Sequence, residues 1–312
     1  MSDADLRISR RDLLRGFAAL GAMTAVSRWS PLDAAPLVDS ALKPVRFAVI
    51  GDWGSGEAGE MGVAEQMLAT HRSQPIDFII GAGDNIYPNG GADNFGPNFE
   101  RPFEGLIKAG IPFYTVFGNH DIKAGRDAQL RYPMFNMKGR PYYRMPVGNG
   151  TTEFFMLDSN DMSSAQLQWL DAALTDSTAV WKIAVFHHPI YSSGKRHGSD
   201  TSLRRQIEPL FVKHGVQVAF SGHDHIYQRV VPQQGVQYFV SGAGGMIREG
   251  GINRDNLVAA GFDTETHFMV LEADANEFRY NAISVAGRSI DSGRIGAKAG
   301  AVAQLFQRLR VA

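Results

Sequence analysis

Five apolar runs in this chain each end in a short stretch that pairs glycine or proline with side chains able to hold a metal ion. The stretches are Gly51-Asp52-Trp53-Gly54, Gly83-Asp84-Asn85-Ile86-Tyr87, Gly118-Asn119-His120-Asp121, Phe186-His187-His188-Pro189 and Gly222-His223-Asp224-His225. The runs before them, 45–50, 76–80, 111–116, 181–186 and 216–220, read as buried strands: nearly continuous apolar segments of this length suit a sheet covered on both faces. In α/β sheets, ligands gather in the crevice beyond the carboxyl ends of the strands. The pattern therefore predicts that Asp52, Asp84, Asn119, His187 and His223 meet there, though they are far apart in sequence.

Between these runs the helical spacing of Met61, Ala64, Met67 and Leu68 marks a helix over 57–71, and similar patterns mark helices over 163–174 and 201–214. A further strand is expected over 153–157. Residues 87–100 are rich in Asn, Gly and Pro and read as loop. Beyond 227 the texture changes: 228–231, 236–240, 267–273 and 278–286 read as antiparallel strands, and a terminal helix is expected from 297. Asn149-Gly150-Thr151 has the form of a glycosylation site but reads most simply as a turn between strands. Alternating strands and helices followed by strands predict an α/β fold: two packed mixed β-sheets flanked by helices, in the order α/β/β/α.

Composition narrows the chemistry. With 312 residues and 44% hydrophobic content the chain buries a core without cross-links. A net charge of -1 leaves no electrostatic footprint for nucleic acid or an anionic membrane. There is no cysteine, so thiolate metal sites and disulfides are excluded, and any metal must be held by imidazole, carboxylate, amide or phenolate. Residues 1–35 read separately from 36–312. Ser9-Arg10-Arg11-Asp12-Leu13-Leu14-Arg15 resembles a twin-arginine signal, and the weakly apolar run 16–26 is shorter than the roughly 20 residues a bilayer span needs. The resemblance implies recognition by the twin-arginine translocase, delivery to the periplasm or beyond, and no stable membrane insertion.

The motifs together resemble those of the calcineurin-like metallophosphoesterases, and within them the small single-domain purple acid phosphatases. The likeness spans 46–286 and includes Phe47-Ala48-Val49-Ile50-Gly51-Asp52-Trp53-Gly54 and Val240-Ser241-Gly242-Ala243-Gly244. Most metallophosphoesterases carry a histidine two residues after the first aspartate; here that position is Gly54. Tyr87, three residues after Asp84, stands in for it as in the purple acid phosphatases. An unperturbed phenol has a pKa near 10, and a trivalent ion such as Fe(III) is what holds it ionised in acid. The resemblance thus implies Fe(III) on Asp52, Tyr87 and His225, a divalent iron, zinc or manganese on Asn119, His187 and His223, and Asp84 bridging the two. His187 takes the ligand role over His188 because the family pattern is His-x-Pro. Gly222 lets the chain leave its strand, so that His223 and His225 splay toward different metals. His120 and His197 resemble the family's two outer histidines, which bind substrate and protonate the leaving group. The metals bring five positive charges and Asp52, Asp84 and Tyr87 return three; the remaining two attract a hydroxide nucleophile and a phosphomonoester. Neither 89–103 nor 244–262, the expected rim, spells out a leaving-group pocket.

Three other readings compete. A divalent-metal phosphodiesterase or nucleotidase of the same superfamily shares six ligands and differs at Tyr87. A phosphate-binding protein with a dead site is opposed by the complete ligand set. Gly54-Ser55-Gly56-Glu57-Ala58-Gly59 matches the G-x-G-x-x-G fingerprint of NAD(P) oxidoreductases. However, three residues separate Ile50 from the first glycine, and Asp77 begins the second strand instead of ending it. For the export signal, the Arg10→Lys/Arg11→Lys variant is expected to stay in the cytoplasm with its signal uncleaved. Fractionation that finds it outside the cytoplasm at the normal level removes the twin-arginine reading.

Overall fold

Apolar continuity sets the strands. A computed structural model describes residues 43–309; the twin-arginine stretch and the rest of 1–42 lie outside them. In chain order the strands are β1 Val45–Ile50, β2 Phe78–Gly81, β3 Phe113–Thr115, β4 Tyr143–Val147, β5 Thr152–Met156, β6 Trp181–Val185, β7 Val218–Ser221, β8 Tyr227–Val230, β9 Gln237–Ser241, β10 Val258–Phe262, β11 His267–Ala273, β12 Glu277–Ser284 and β13 Ser289–Gly296. One sheet runs β13-β12-β11-β1-β2-β3 and the other β10-β8-β9-β7-β6-β5-β4. Both are mixed, as expected: β1, β2 and β3 pair in parallel while β11, β12 and β13 run antiparallel. In the second sheet β5, β6, β7 and β9 are parallel, with β4, β8 and β10 antiparallel at its margins.

The two sheets pack through aromatic side chains. Phe47 of β1 stacks on Phe78 of β2 at 5.4 Å between ring centroids and meets Phe154 of β5 edge-on at 5.0 Å. A second core, including Phe155, Ala184, Leu170, Leu174, Ile207 and Phe211, joins the second sheet to helices Ser164–Asp176 and Thr201–His214. Each helix starts on a cap that satisfies free N–H groups. Ser163 Oγ accepts from Gln166 N, and Asp200 Oδ1 accepts from Ser202 N and Leu203 N.

Three departures from the sequence reading concern segments whose signal is local. Residues 87–100 are partly helical, with turns at Ala92–Asn94 and Gly96–Glu100. Phe95, Phe99 and Phe103 recur four apart and bury one face of this insertion. Strands β4, β10 and β13 were not read as strands; β13 is an edge strand of largely exposed, polar residues and carries no continuous apolar run. The region after 227 is not wholly antiparallel, because β9 lies parallel to β7 on one side and antiparallel to β8 on the other.

The glycine-rich turn after β1 has a packing purpose. A Cβ at Gly54 would lie 1.8 Å from Asn85 O, and one at Gly59 would lie 2.4 Å from Gly245 O. Where a dinucleotide fold would offer its N–H groups to a pyrophosphate, Gly56 N donates to the buried Glu60 Oε2 at 2.5 Å. Burial pushes the Glu60 carboxyl from the ordinary 4.5 up to about 9. The native state then keeps a proton that the unfolded chain releases, so stability falls as pH rises between these two values. Glu60→Gln is expected to remove this fall. Urea unfolding near pH 5 and near pH 8 checks it: wild type should lose at least about 2 kcal/mol more than the variant over that interval, and equal losses would disprove the buried neutral acid.

Candidate metal centre

Three of the donors leave their strands by an unusual backbone step. Asp52 (φ 54°), Asp84 (φ 50°) and His223 (φ 70°) all adopt the left-handed conformation that side chains with a Cβ avoid. Strain of this kind persists only where the surroundings over-determine it. After Asp52, the indole of Trp53 is fully buried among Phe99, Phe103, Phe113 and Phe135 at 5.1–6.1 Å between centroids. His223 N donates to Asp52 Oδ2 at 2.7 Å, which ties the ends of β1 and β7 together. Two glycines make room: a Cβ at Gly222 would stand 2.3 Å from Asp52 Oδ2, and one at Gly118 would stand 2.1 Å from Asp84 Oδ1.

Two donor groups result, and Asp84 faces both. In the first, Tyr87 Oη lies 2.9 Å from Asp84 Oδ2, 3.3 Å from Asp52 Oδ1 and 3.2 Å from His225 Nε2. In the second, His187 Nε2 lies 3.1 Å from Asn119 Oδ1, 3.2 Å from His223 Nδ1 and 3.6 Å from Asp84 Oδ1. His223 and His225 do splay apart, one to each group. His187 Nδ1 is 3.0 Å from Ala82 O; a carbonyl only accepts, so Nδ1 carries the hydrogen and Nε2 turns its lone pair inward. His188 is half-buried, and its Nδ1 lies 2.9 Å from Ser159 Oγ. Its ring nevertheless stands near His187 and His223, close enough for these three to offer donors to one ion.

His120 and His197 flank the pocket mouth. The His120 ring lies 4.6 Å from Tyr87, and the His120 backbone N–H donates to Asp84 Oδ1 at 2.9 Å. His197 stacks on His223 with centroids 4.0 Å apart. Both line a cavity of about 360 Å³ together with Asp84, Tyr87, Asn119, His223 and His225.

Several residues that the sequence reading passed over hold this arrangement. Asp121 accepts from the backbone N–H groups of Asn85, Ile86 and Gly118 and from Gln129 Nε2, locking the Asp84 turn to the Asn119 turn. Asp224, between the two histidines, points away from the donors: it accepts from Ser192 Oγ, Gly198 N and His197 N, and so fixes the His197 loop. Both lie inside motif stretches, which was the available signal. Arg196, Met246 and Arg248 also line the pocket, and no motif marks them.

Burial sets the charge state. Asp52 and Asp84 are 0% and 2% exposed, and among the described residues neither pairs with a lysine or arginine. Burial, then the neighbouring Asp84 charge, raises the Asp52 carboxyl well above its usual range. Burial and the Asp52 and Asp84 charges push the Tyr87 phenol far up. Burial drives His187 well down, His223 to about 2 and His225 to about 4. Neutral imidazoles beside acids starved of positive charge form a set that fits two cations: nitrogen and oxygen donors of intermediate to hard character, including one phenol and one shared carboxylate.

Residues 45–227 match the calcineurin-like phosphoesterase family. "Purple acid phosphatase 17" of Arabidopsis thaliana is 32% identical over 240 residues, covering 67% of this chain and 71% of that protein. "Tartrate-resistant acid phosphatase type 5" of Rattus norvegicus is 28% identical over 291 residues, 79% of this chain and 88% of that one. The purple acid phosphatase PPD1 from yellow lupin (Lupinus luteus) seeds shares the fold with a TM-score of 0.70 at 19% identity, over 84% of this chain and 55% of its own. Fold and donor cluster together define a metallophosphoesterase. The chain belongs to the calcineurin-like phosphoesterases, in the branch of the purple acid phosphatases.

The raised acids have a direct consequence. Burial favours the protonated forms of Asp52 and Tyr87 in the metal-free protein, and metal ligation must expel those protons, so metal affinity rises with pH. Loading at constant pH is expected to release them, with Tyr87→Phe releasing about one proton fewer. A pH-stat titration in which the two proteins release equal amounts would show that Tyr87 does not ionise on metal binding.

Proposed function

We propose that this protein is an exported acid phosphatase that hydrolyses phosphomonoesters at a dinuclear Fe(III)–M(II) centre, M being iron, zinc or manganese. The observation that supports it most is Asp84, whose two carboxylate oxygens are directed at separate donor groups 2.9 Å and 3.6 Å away. In this reading Asp52, Tyr87 and His225 hold the trivalent ion, Asn119, His187 and His223 hold the divalent ion, and Asp84 joins them. When bound, such a pair supplies Lewis acidity toward phosphoryl oxygens and a water acidified enough to attack at low pH.

The protein's own groups do the rest. The fully buried His187, tied to Ala82 O, is favoured as a neutral donor because burial holds its pKa well below the usual imidazole range. Asp121 fixes the spacing of the Asp84 and Asn119 turns, so the donors keep their places when the charges change. His120 and His197, at the cavity mouth, are placed to hold the ester and to return a proton to the leaving oxygen. The Ser192–Asp224 hydrogen bond of 2.6 Å anchors the loop that carries His197. Export of the folded protein rests on the Arg10-Arg11 signal.

Tyr87 favours this reading over a two-divalent-metal phosphodiesterase. Its hydroxyl sits between two carboxylates, an environment that opposes ionisation unless a highly charged cation is adjacent. Iron-loaded protein is therefore expected to show a visible phenolate-to-iron charge-transfer band that Tyr87→Phe abolishes. Asp84→Asn should lower phosphomonoester turnover at least about 10²-fold, the scale of losing one electrostatic element of a transition-state site, and reduce metal content. A colourless di-iron protein after mild oxidation, unchanged by Tyr87→Phe, would exclude the Fe(III)–tyrosinate assignment. Full activity and metal content in Asp84→Asn would exclude the shared centre.

A further inference from the structure

Two arginines, Arg196 and Arg248, line the mouth of the metal pocket, and their charge is not accounted for by the metal centre. Arg196 precedes His197, whose ring stacks on His223 of the second donor group. Arg248 is tied by its own backbone N–H to His225 O at 3.0 Å, on the side of the first donor group. The charges of both arginines reach the pocket, and each opposes protonation of His197 and His225. Asp84 is the one carboxylate among the described residues that line this pocket, and both its oxygens are engaged by the donor groups. Neither arginine forms an ion pair among the described residues, and Arg248 Nε is buried with no hydrogen-bond partner. Nearby, Lys123 Nζ lies 3.1 Å from His120 Nδ1 and adds another positive charge to the rim.

The charge balance gives this meaning. Two metals carrying five positive charges, against Asp52, Asp84 and Tyr87, leave a surplus of two, which a hydroxide and a phosphoryl group already absorb. The guanidinium groups add two more. A buried donor without an acceptor is costly, and a planar fork of N–H donors is suited to carboxylate or phosphoryl oxygens. We propose that Arg196 and Arg248 select phosphomonoesters whose leaving group carries a second anionic group, a carboxylate or a further phosphoryl. The inference rests on the phosphomonoester reading and adds the substrate class to it. Residues 244–262 thus hold a specificity element after all, at a position where no motif announced it.

The test uses non-hydrolysable probes on metal-loaded protein, with binding measured by calorimetry. The probes are propylphosphonate, 3-phosphonopropanoate and ethane-1,2-diphosphonate, which share a phosphonate head and differ in tail charge. Wild type is expected to bind at least one anionic-tail probe about tenfold more tightly than propylphosphonate, the scale of one charge-assisted hydrogen bond. Which tail wins distinguishes a carboxylate from a second phosphoryl group. In Arg196→Gln/Arg248→Gln the ratio of the dissociation constants should fall toward one. The unaltered protein gives an independent reading: raising salt should weaken anionic-tail probes more steeply than propylphosphonate. Equal affinities for all three probes in wild type, a ratio that survives the double substitution, or parallel salt slopes would each overturn the selection. If no phosphonate binds, the phosphoester reading itself fails and takes this inference with it; equal binding of all three defeats the inference alone.

Discussion

Two carboxylates that no lysine or arginine among the described residues neutralises, Asp52 and Asp84, lie almost wholly out of water. Removing an ion from water costs several kcal/mol even after relaxation, and two like charges side by side raise that further. The described residues answer with hydrogen bonds instead of opposite charge: His223 N to Asp52, and His120 N and Tyr87 Oη to Asp84. Such bonds moderate the penalty without cancelling it, and the Asp52 carboxyl stays well above its usual range, raised first by burial and then by the Asp84 charge. Much else in the fold serves this point, from the glycines that clear space for the carboxylates to the three left-handed residues that aim at it.

The rigidity comes from one step further out. Trp53 and its phenylalanine neighbours form an apolar anchor directly beneath Asp52, so the strained turn cannot relax without moving an aromatic core. On the other side, Asp121 gathers three backbone N–H groups from two different turns. Burial and the nearby Asp84 charge raise the Asp121 carboxyl to about 7, and its hydrogen bonds pull in the opposite direction. The centre is thus held by packing below and by a polar clasp at its edge.

How much of this could be read from the chain follows from what kind of signal each part leaves. β1, β6 and the helix Thr201–His214 are continuous or periodic apolar segments, and they emerged with nearly their observed limits. The nine residues expected at the site come together around one cavity or against its wall because each sits within a motif at a strand end. The insertion carrying Phe95, Phe99 and Phe103 was misread because its Asn, Gly and Pro content masked a four-residue aromatic repeat. β13 gave no signal since an edge strand needs little apolar character. Arg196 and Arg248 could not be found by local pattern at all: their significance depends on a pocket assembled from several loops.

The same distinction explains why specificity is harder to read than chemistry. Ligand donors must meet at fixed distances, which forces them onto strand ends and leaves a repeated sequence pattern. A residue that recognises a leaving group needs only to reach the cavity mouth, and a long side chain such as arginine does so from many backbone positions. Its presence is visible only through what it lacks in the folded state. Arg248 sits beside the pocket with its Nε buried and unpartnered, while arginines elsewhere in the fold, such as Arg126 with Asp158 at 2.8 Å and Arg229 with Asp291 at 2.7 Å, have their carboxylates. A charge left unmatched at the mouth of a cation-ready cavity points outward, to an anion that the chain itself does not contain.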